Sequence, residues 1–160
     1  MKFYQNKGMY LESIIDRTII FYNSNNFGWF DKRTVPIKII STNNNHVTGY
    51  LKEKSQSDYY GIFKSKMFDF EAKQTNEDFF NITNIKKHQI LHLIKMKENG
   101  AIVFLIIYFN KHDTFFKVEI DQIINSKKKR ISYLSFVENA IELKIIFPGI
   151  LDILNVKNLS

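Results

Sequence analysis

Asp58-Tyr59-Tyr60-Gly61-Ile62-Phe63-Lys64-Ser65-Lys66-Met67-Phe68-Asp69-Phe70-Glu71-Ala72-Lys73 is the stretch that decides the fold. From Met67 to Lys73 apolar and polar residues alternate with the period of a strand. Phe68, Phe70 and Ala72 share one face; Asp69, Glu71 and Lys73 share the other. The preceding run, Asp58 to Phe63, also reads as a strand, joined through the polar pair Lys64-Ser65. A two-residue turn there pairs Phe63 with Lys66 and, by counting outward, sets Asp58 opposite Glu71. Directly opposed side chains have Cβ atoms roughly 5 Å apart, and like charges in that position destabilise the pair. A cation between the two carboxylates removes the conflict, and Lys73 projects from the same face. An Asp-Glu-Lys strand edge is also how the wet face of an antiparallel sheet reads, so the rest of the chain has to choose.

The chain has 160 residues, of which 44% are hydrophobic and 15% aromatic, enough for one folded domain spanning 1–160. Its formal charge of +7 favours an anionic partner, nucleic acid first and an anionic membrane surface second. The cations are mostly Lys. They neutralise phosphate but forgo the bidentate base recognition that Arg provides, which disfavours strong sequence reading. Asn, Lys, Ile and Phe are abundant throughout, as an AT-rich genome produces, so single Asn or Lys residues carry little weight. The absence of Cys excludes disulfides and thiolate metal sites and fits a cytoplasmic protein. Met1 to Tyr10 lacks the apolar stretch of a signal peptide. The longest apolar run, Ala101 to Phe109, is far short of the roughly 20 residues of a membrane span. It reads as a buried central strand.

Met9 to Tyr22 carries the stripe of an amphipathic helix, with Leu11, Ile14, Ile15, Thr18 and Ile19 on one side. Val35 to Ile40 and Val47 to Leu51 read as strands around the polar projection Ser41 to His46. Ile85 to Asn99 reads as a second helix, stopped by Asn99-Gly100. Thr114 to Ile120 reads as a strand, Asp121 to Ser126 as a short helix and Lys127 to Arg130 as a basic loop. Beyond Ile131 the pattern resolves only into short pieces, with Pro148-Gly149 marking a turn. This order describes a mixed α/β layer with its sheet covered on at least one face.

Magnesium needs oxygen ligands, few carboxylates and several retained waters, which Asp58 and Glu71 could satisfy. Lys73 could then stabilise charge developing on a phosphate, and the amide oxygen of Gln89 could add a ligand or hold a water, against an ordinary helix-surface role. Glu12 either closes over this site from the first helix or is a solvated helix carboxylate. Gln56, two residues before Asp58, offers another amide oxygen. His88 and His92 stand at i and i+4, but without Cys or a helical Glu beside them zinc is disfavoured. Lys128 and Arg130 in the basic loop, with Lys32, Arg33, Tyr50 and Lys52, are candidate DNA contacts.

Together these pieces resemble RecU, the Holliday junction resolvase family of low-GC Gram-positive bacteria and mycoplasmas. Gly8-Met9 with Leu11-Glu12 is similar to the family's opening helix motif, and Lys32-Arg33-Thr34-Val35-Pro36-Ile37 to its Pro-containing strand entry. Ser57-Asp58-Tyr59-Tyr60-Gly61 with Asp69-Phe70-Glu71-Ala72-Lys73 is similar to the active-site hairpin, and His88-Gln89-Ile90 with His92 to the start of the next helix. The resemblance implies a PD-(D/E)xK restriction-endonuclease-like core, with a mixed central sheet flanked by helices and a short stalk at about 41–51. It also implies a homodimer that nicks four-way junctions symmetrically with magnesium, or manganese in its place. It assigns Asp58, Glu71 and Gln89 to the metal and Lys73 to the transition state. Recombination or branch-migration proteins are implied partners.

The chain departs from the family pattern in four places. Gln56 stands where Thr is common, Ser65 occupies a turn that favours Gly, and the stalk is shorter and less basic. The nearly absent basic N-terminal extension points the same way, toward a weaker grip on the junction and reduced activity. A non-catalytic branched-DNA-binding accessory protein on the same fold is therefore the competing expectation, and a nuclease of linear duplex a third.

Overall fold

The structure is a computed structural model that describes residues 8–52 and 56–155. The expectation about the N-terminal extension falls on residues 1–7 and so lies outside the described residues. The chain runs α1 (Gly8–Ser24), β1 (Trp29–Lys32), β2 (Ile37–Asn43), β3 (His46–Leu51), β4 (Tyr59–Phe63), β5 (Lys66–Thr75) and β6 (Phe79–Asn81). A single 3-10 turn (Ile82–Asn84) leads into α2 (Lys87–Glu98), then β7 (Ile102–Phe109), β8 (Thr114–Glu119) and α3 (Ile120–Ile124). It closes with β9 (Arg130–Ser132), α4 (Tyr133–Asn139), β10 (Ile141–Leu143), β11 (Ile145–Ile146) and β12 (Ile150–Leu151).

The centre is a six-stranded mixed sheet in the order β1-β4-β5-β7-β8-β10. Only the β5–β7 pair is parallel. Antiparallel neighbours can be joined by short turns, as β4–β5 and β7–β8 are, whereas a parallel pair needs a crossover. Here that crossover carries β6, the 3-10 turn and α2. β7 is the continuous apolar strand expected from Ala101 to Phe109: the run Val103–Phe109 is buried throughout because both sheet faces are covered.

On one face α1 packs Leu11, Ile14, Ile15, Ile19 and Tyr22 against Phe68, Phe70, Phe104 and Ile106. The C-terminal segment is fastened to the same helix. The Tyr22 hydroxyl donates to Leu151 O (3.1 Å) and accepts from the Ile153 and Leu154 amides (3.0 and 3.2 Å). Thr18 Oγ1 accepts the Leu151 amide at 2.9 Å. On the other face α2, α3 and α4 bury Leu93, Ile123 and Phe136 against Val103, Leu105, Ile107, Phe109 and Phe116.

The decisive hairpin has the expected register, from Phe63↔Lys66 to Tyr59↔Phe70. Its turn residues Lys64 and Ser65 both take left-handed backbone, with φ of 47° and 59°. That is what a two-residue hairpin turn of this twist demands, and a non-glycine residue adopts it at some cost. Within β4, Gly61 lies beneath Phe30 of β1. A Cβ there would stand 2.2 Å from the Phe30 ring and 2.5 Å from Trp29 O.

Three expectations need correction. β1 was not anticipated; it forms the sheet edge by pairing Trp29–Lys32 with Ile62–Tyr59. The strand expected at Val35 to Ile40 belongs to the projection rather than the core, for β2 and β3 form a separate two-stranded sheet with every residue exposed. Its turn is only Asn44-Asn45, and the polar run around it continues the strands through Asn43↔His46. Finally, the Asp69–Glu71 side of β5 is not a wet face: both carboxylates are 0% exposed, because α2 lies over them. Among the described residues no helix is long and apolar enough to cross a membrane.

Candidate active site

Asp58 stands one residue beyond the last β4–β5 pair, where the ladder opens. Its Oδ2 accepts the Ala72 backbone N–H at 3.0 Å, which ties the start of β4 to β5 next to Glu71. Lys73 Nζ lies 4.0 Å from the same Asp58 oxygen and also donates to Glu71 Oε1. The three residues that carry the sequence pattern therefore meet on one face at the end of one hairpin.

Glu71 is the electrostatic centre of the group. Its Oε1 accepts from both Lys73 Nζ and Gln89 Nε2, while Oε2 is buried with no hydrogen-bond partner among the described residues. Burial, followed by the neighbouring negative charge of Asp58, pushes its carboxyl up to about 8, and Lys73 offsets only part of this. A buried carboxylate lacking a partner on one oxygen and facing a second carboxylate is a place that asks for positive charge. Two carboxylates with room for waters suit a small hard cation such as magnesium. Among the described residues no group of three or more His, Asp or Glu gathers as a metal cluster, so any such site is of this sparse kind.

Gln89 enters from α2 in a different attitude from the one expected. Its amide oxygen accepts the Lys86 N–H at 3.0 Å and so caps the helix, which leaves the amide nitrogen to face Glu71. Ligation through that oxygen would require the amide to turn over and release Lys86. Gln56 is exposed in the bend before Ser57 and lies outside the lining of the cleft.

The site opens into a cleft of about 410 Å³ whose walls include Glu12, Lys32, Asp58, Lys73, Gln74 and Lys86. Glu12 thus sits at the site, but its Oε2 accepts from Lys32 Nζ at 2.7 Å, with Asp16 Oδ2 at 3.9 Å from the same nitrogen. Lys32 is held by these acids, and its ammonium is raised above its ordinary value chiefly by the hydrogen bond to Glu12. Arg33, expected as a DNA contact, turns its guanidinium inward to Ser57 and Asp69 at 2.7 Å each. Tyr50 and Lys52 lie exposed on and just after β3, Lys128 on the basic loop and Arg130 at the start of β9, where it covers the Phe79 ring at 4.7 Å.

Asp69, His92 and Lys86 were not singled out from the sequence for the places they hold. Asp69 accepts from Arg33 and pairs with His92 Nε2 at 2.8 Å. The available signal was spacing. Asp69 and Glu71 share a strand face, and Gln89 and His92 are one helical turn apart, so the two pairs can meet.

The family model for recombination protein U matches residues 6–158. The chain belongs to the RecU family. Among curated RecU relatives it is 41% identical over 152 residues to a protein from Ureaplasma parvum named Holliday junction resolvase RecU, covering 92% of this chain and 89% of that one. A protein of the same name from Mycoplasmopsis pulmonis is 33% identical, with 94% and 92% covered. Among solved structures, the Holliday junction resolvase Hjc of Archaeoglobus fulgidus superposes with a TM-score of 0.52 over 81% of this chain and 94% of that one, at 8% identity. At that identity the likeness speaks for the fold alone, and it agrees with the nuclease-type mixed α/β core expected of a RecU protein.

Proposed function

We propose that this RecU protein is a structure-selective endonuclease that resolves Holliday junctions by paired nicks and depends on magnesium, with manganese as a substitute. The observation that carries the reading is the convergence of Asp58, Glu71 and Lys73, with a buried oxygen on Glu71 that has no partner among the described residues. The relatives' name gives the substrate class. The chain acts as one nuclease domain with a stalk, works in the cytoplasm in recombination and repair, and meets recombination or branch-migration proteins there.

Asp58 and Glu71 hold the metal, and Gln89 joins them only if its amide turns over. When bound, the metal polarises the scissile phosphate and lowers the pKa of a water. Asp58 is oriented for this work by the Ala72 amide, which occupies one of its oxygens and leaves the other for the site. Glu71 Oε1 is fixed by Lys73 and Gln89, which leaves the buried Oε2, without a partner among the described residues, to take a cation. Lys73 then stabilises the charge that builds on the phosphoryl oxygens, an interaction stronger in the transition state than in the ground state. Lys86, on the same cleft wall, adds a phosphate contact.

Two symmetric cuts need two symmetric sites, so a twofold homodimer is the simplest assembly. The exposed β2–β3 hairpin, bearing Tyr50 and followed by Lys52, is the stalk that enters the junction centre. Selectivity for branch shape rather than base sequence fits a surface charged mainly by Lys. The test compares a synthetic four-way junction with a linear duplex of the same sequence, each strand end-labelled. Nicking of the junction alone supports the reading. Equal cutting of the duplex points to a nuclease of unbranched DNA, and magnesium-independent binding without cutting to an accessory protein.

A further inference from the structure

Arg33 leaves β1 at the root of the stalk, and its guanidinium spans both strands of the active-site hairpin. Nε donates to the buried Ser57 Oγ at 2.7 Å and Nη2 to Asp69 Oδ2 at 2.7 Å. The planar group lies 4.5 Å from the centre of the Tyr60 ring, and the Arg33 backbone N–H donates to Asp58 O at 2.8 Å. One residue therefore touches 57 and 58 just before β4, 60 within it, and 69 on β5. Asp69 is completely buried, and its Oδ1 has no partner among the described residues, so Arg33 and His92 hold it through the other oxygen alone.

These contacts matter because Asp58 lies outside the β4–β5 ladder, where strand pairing no longer sets its position. We infer that Arg33 is a positioning residue: it clamps the Ser57-Asp58 segment to β5 through Asp69 and so fixes the Asp58 carboxylate beside Glu71, rather than contacting DNA phosphate. The importance of this to catalysis rests on the nuclease reading above; the clamp itself does not. Arg is needed because a fork of donors in one plane reaches two acceptors and stacks on a ring at once. A lysine ammonium in its place keeps the charge but not that geometry.

The Ala72 amide reports the clamp directly, since it is bonded to Asp58 Oδ2. Hydrogen exchange is followed by NMR on nitrogen-15-labelled protein without DNA or metal, for wild type, Arg33→Lys, Arg33→Gln and Asp69→Asn. All three variants should speed exchange at Ala72 by about tenfold, the effect of losing one hydrogen bond's net stabilisation, while Leu105 in the central strand exchanges as in wild type. Wild-type exchange at Ala72 in Arg33→Lys would overturn the inference. So would equal acceleration at Ala72 and Leu105, because that reports only a less stable fold.

A second readout separates the clamp from a phosphate contact. With calcium in place of magnesium, Arg33→Lys and Arg33→Gln should bind a four-way junction as wild type does, whereas turnover with magnesium falls about tenfold or more in both. Weaker junction binding in Arg33→Gln that Arg33→Lys restores would overturn the inference. Should the wild-type protein fail to nick junctions, the nuclease reading falls, and exchange at Ala72 still decides the role of Arg33.

Discussion

Asp58 and Glu71 face each other across the open end of a hairpin, with Asp58 held by the Ala72 amide and Glu71 buried beneath α2. Two acids so placed stabilise a cation and repel one another without it. The metal-free protein should therefore respond to pH. Glu71 is raised from its ordinary 4.5 to about 8. Below 4.5 it is protonated in both folded and unfolded chains and costs nothing. Between the two values the unfolded chain is ionised while the folded site keeps its proton, so stability falls as pH rises. Thermal melts in chelator should show Tm declining across this window. Added magnesium should raise Tm more at pH 8 than at pH 5, and Glu71→Gln should flatten both trends.

Lys73→Met should abolish nicking, by about a hundredfold or more, and leave junction binding largely intact, because its charge acts on the transition state. Lys73→Arg should not restore activity, since the bulkier fork cannot take the place of an ammonium beside Glu71. Binding isotherms and single-turnover nicking on the same preparations separate the two effects.

Lys52→Ala and Lys128→Ala remove exposed cations outside the cleft. Each should weaken junction binding uniformly across sequences and reduce the slope of log affinity against log salt by about 1 if it contacts a phosphate. A salt titration of binding in calcium measures the slope.

Leu105 sits fully buried at the centre of β7, paired with Glu71 on one side and Val118 on the other. Leu105→Ala should destabilise the fold by about 2–5 kcal/mol in urea unfolding. Gly61→Ala should also destabilise it, because the added Cβ would collide with Phe30 and Trp29 O.

The hairpin register was legible because strand period and turn length together determine it, and the left-handed Lys64-Ser65 turn is what that count requires. α1, α2 and β7 were legible from long apolar patterns. β1 was not, since Trp-Phe-Asp-Lys is too short to declare a period and becomes a strand by pairing with β4. Nor was the burial of Asp69 and Glu71, which alternate like a solvated face until α2 covers them with Gln89 and His92. The attitude of Gln89 follows from its second duty as the cap of Lys86, which spacing alone does not reveal. The short pieces after Ile131 are held by tertiary contacts such as Phe136 in the core.

The metal-dependent active site is tested most directly on a strand-labelled four-way junction, with wild type and Glu71→Ala run side by side with and without magnesium. Wild type should place paired nicks at symmetric positions only when magnesium is present, and Glu71→Ala should bind the junction without cutting it. Nicking by Glu71→Ala at the wild-type rate, or by wild type in chelator, would contradict the assignment of Asp58, Glu71 and Lys73 as the active centre.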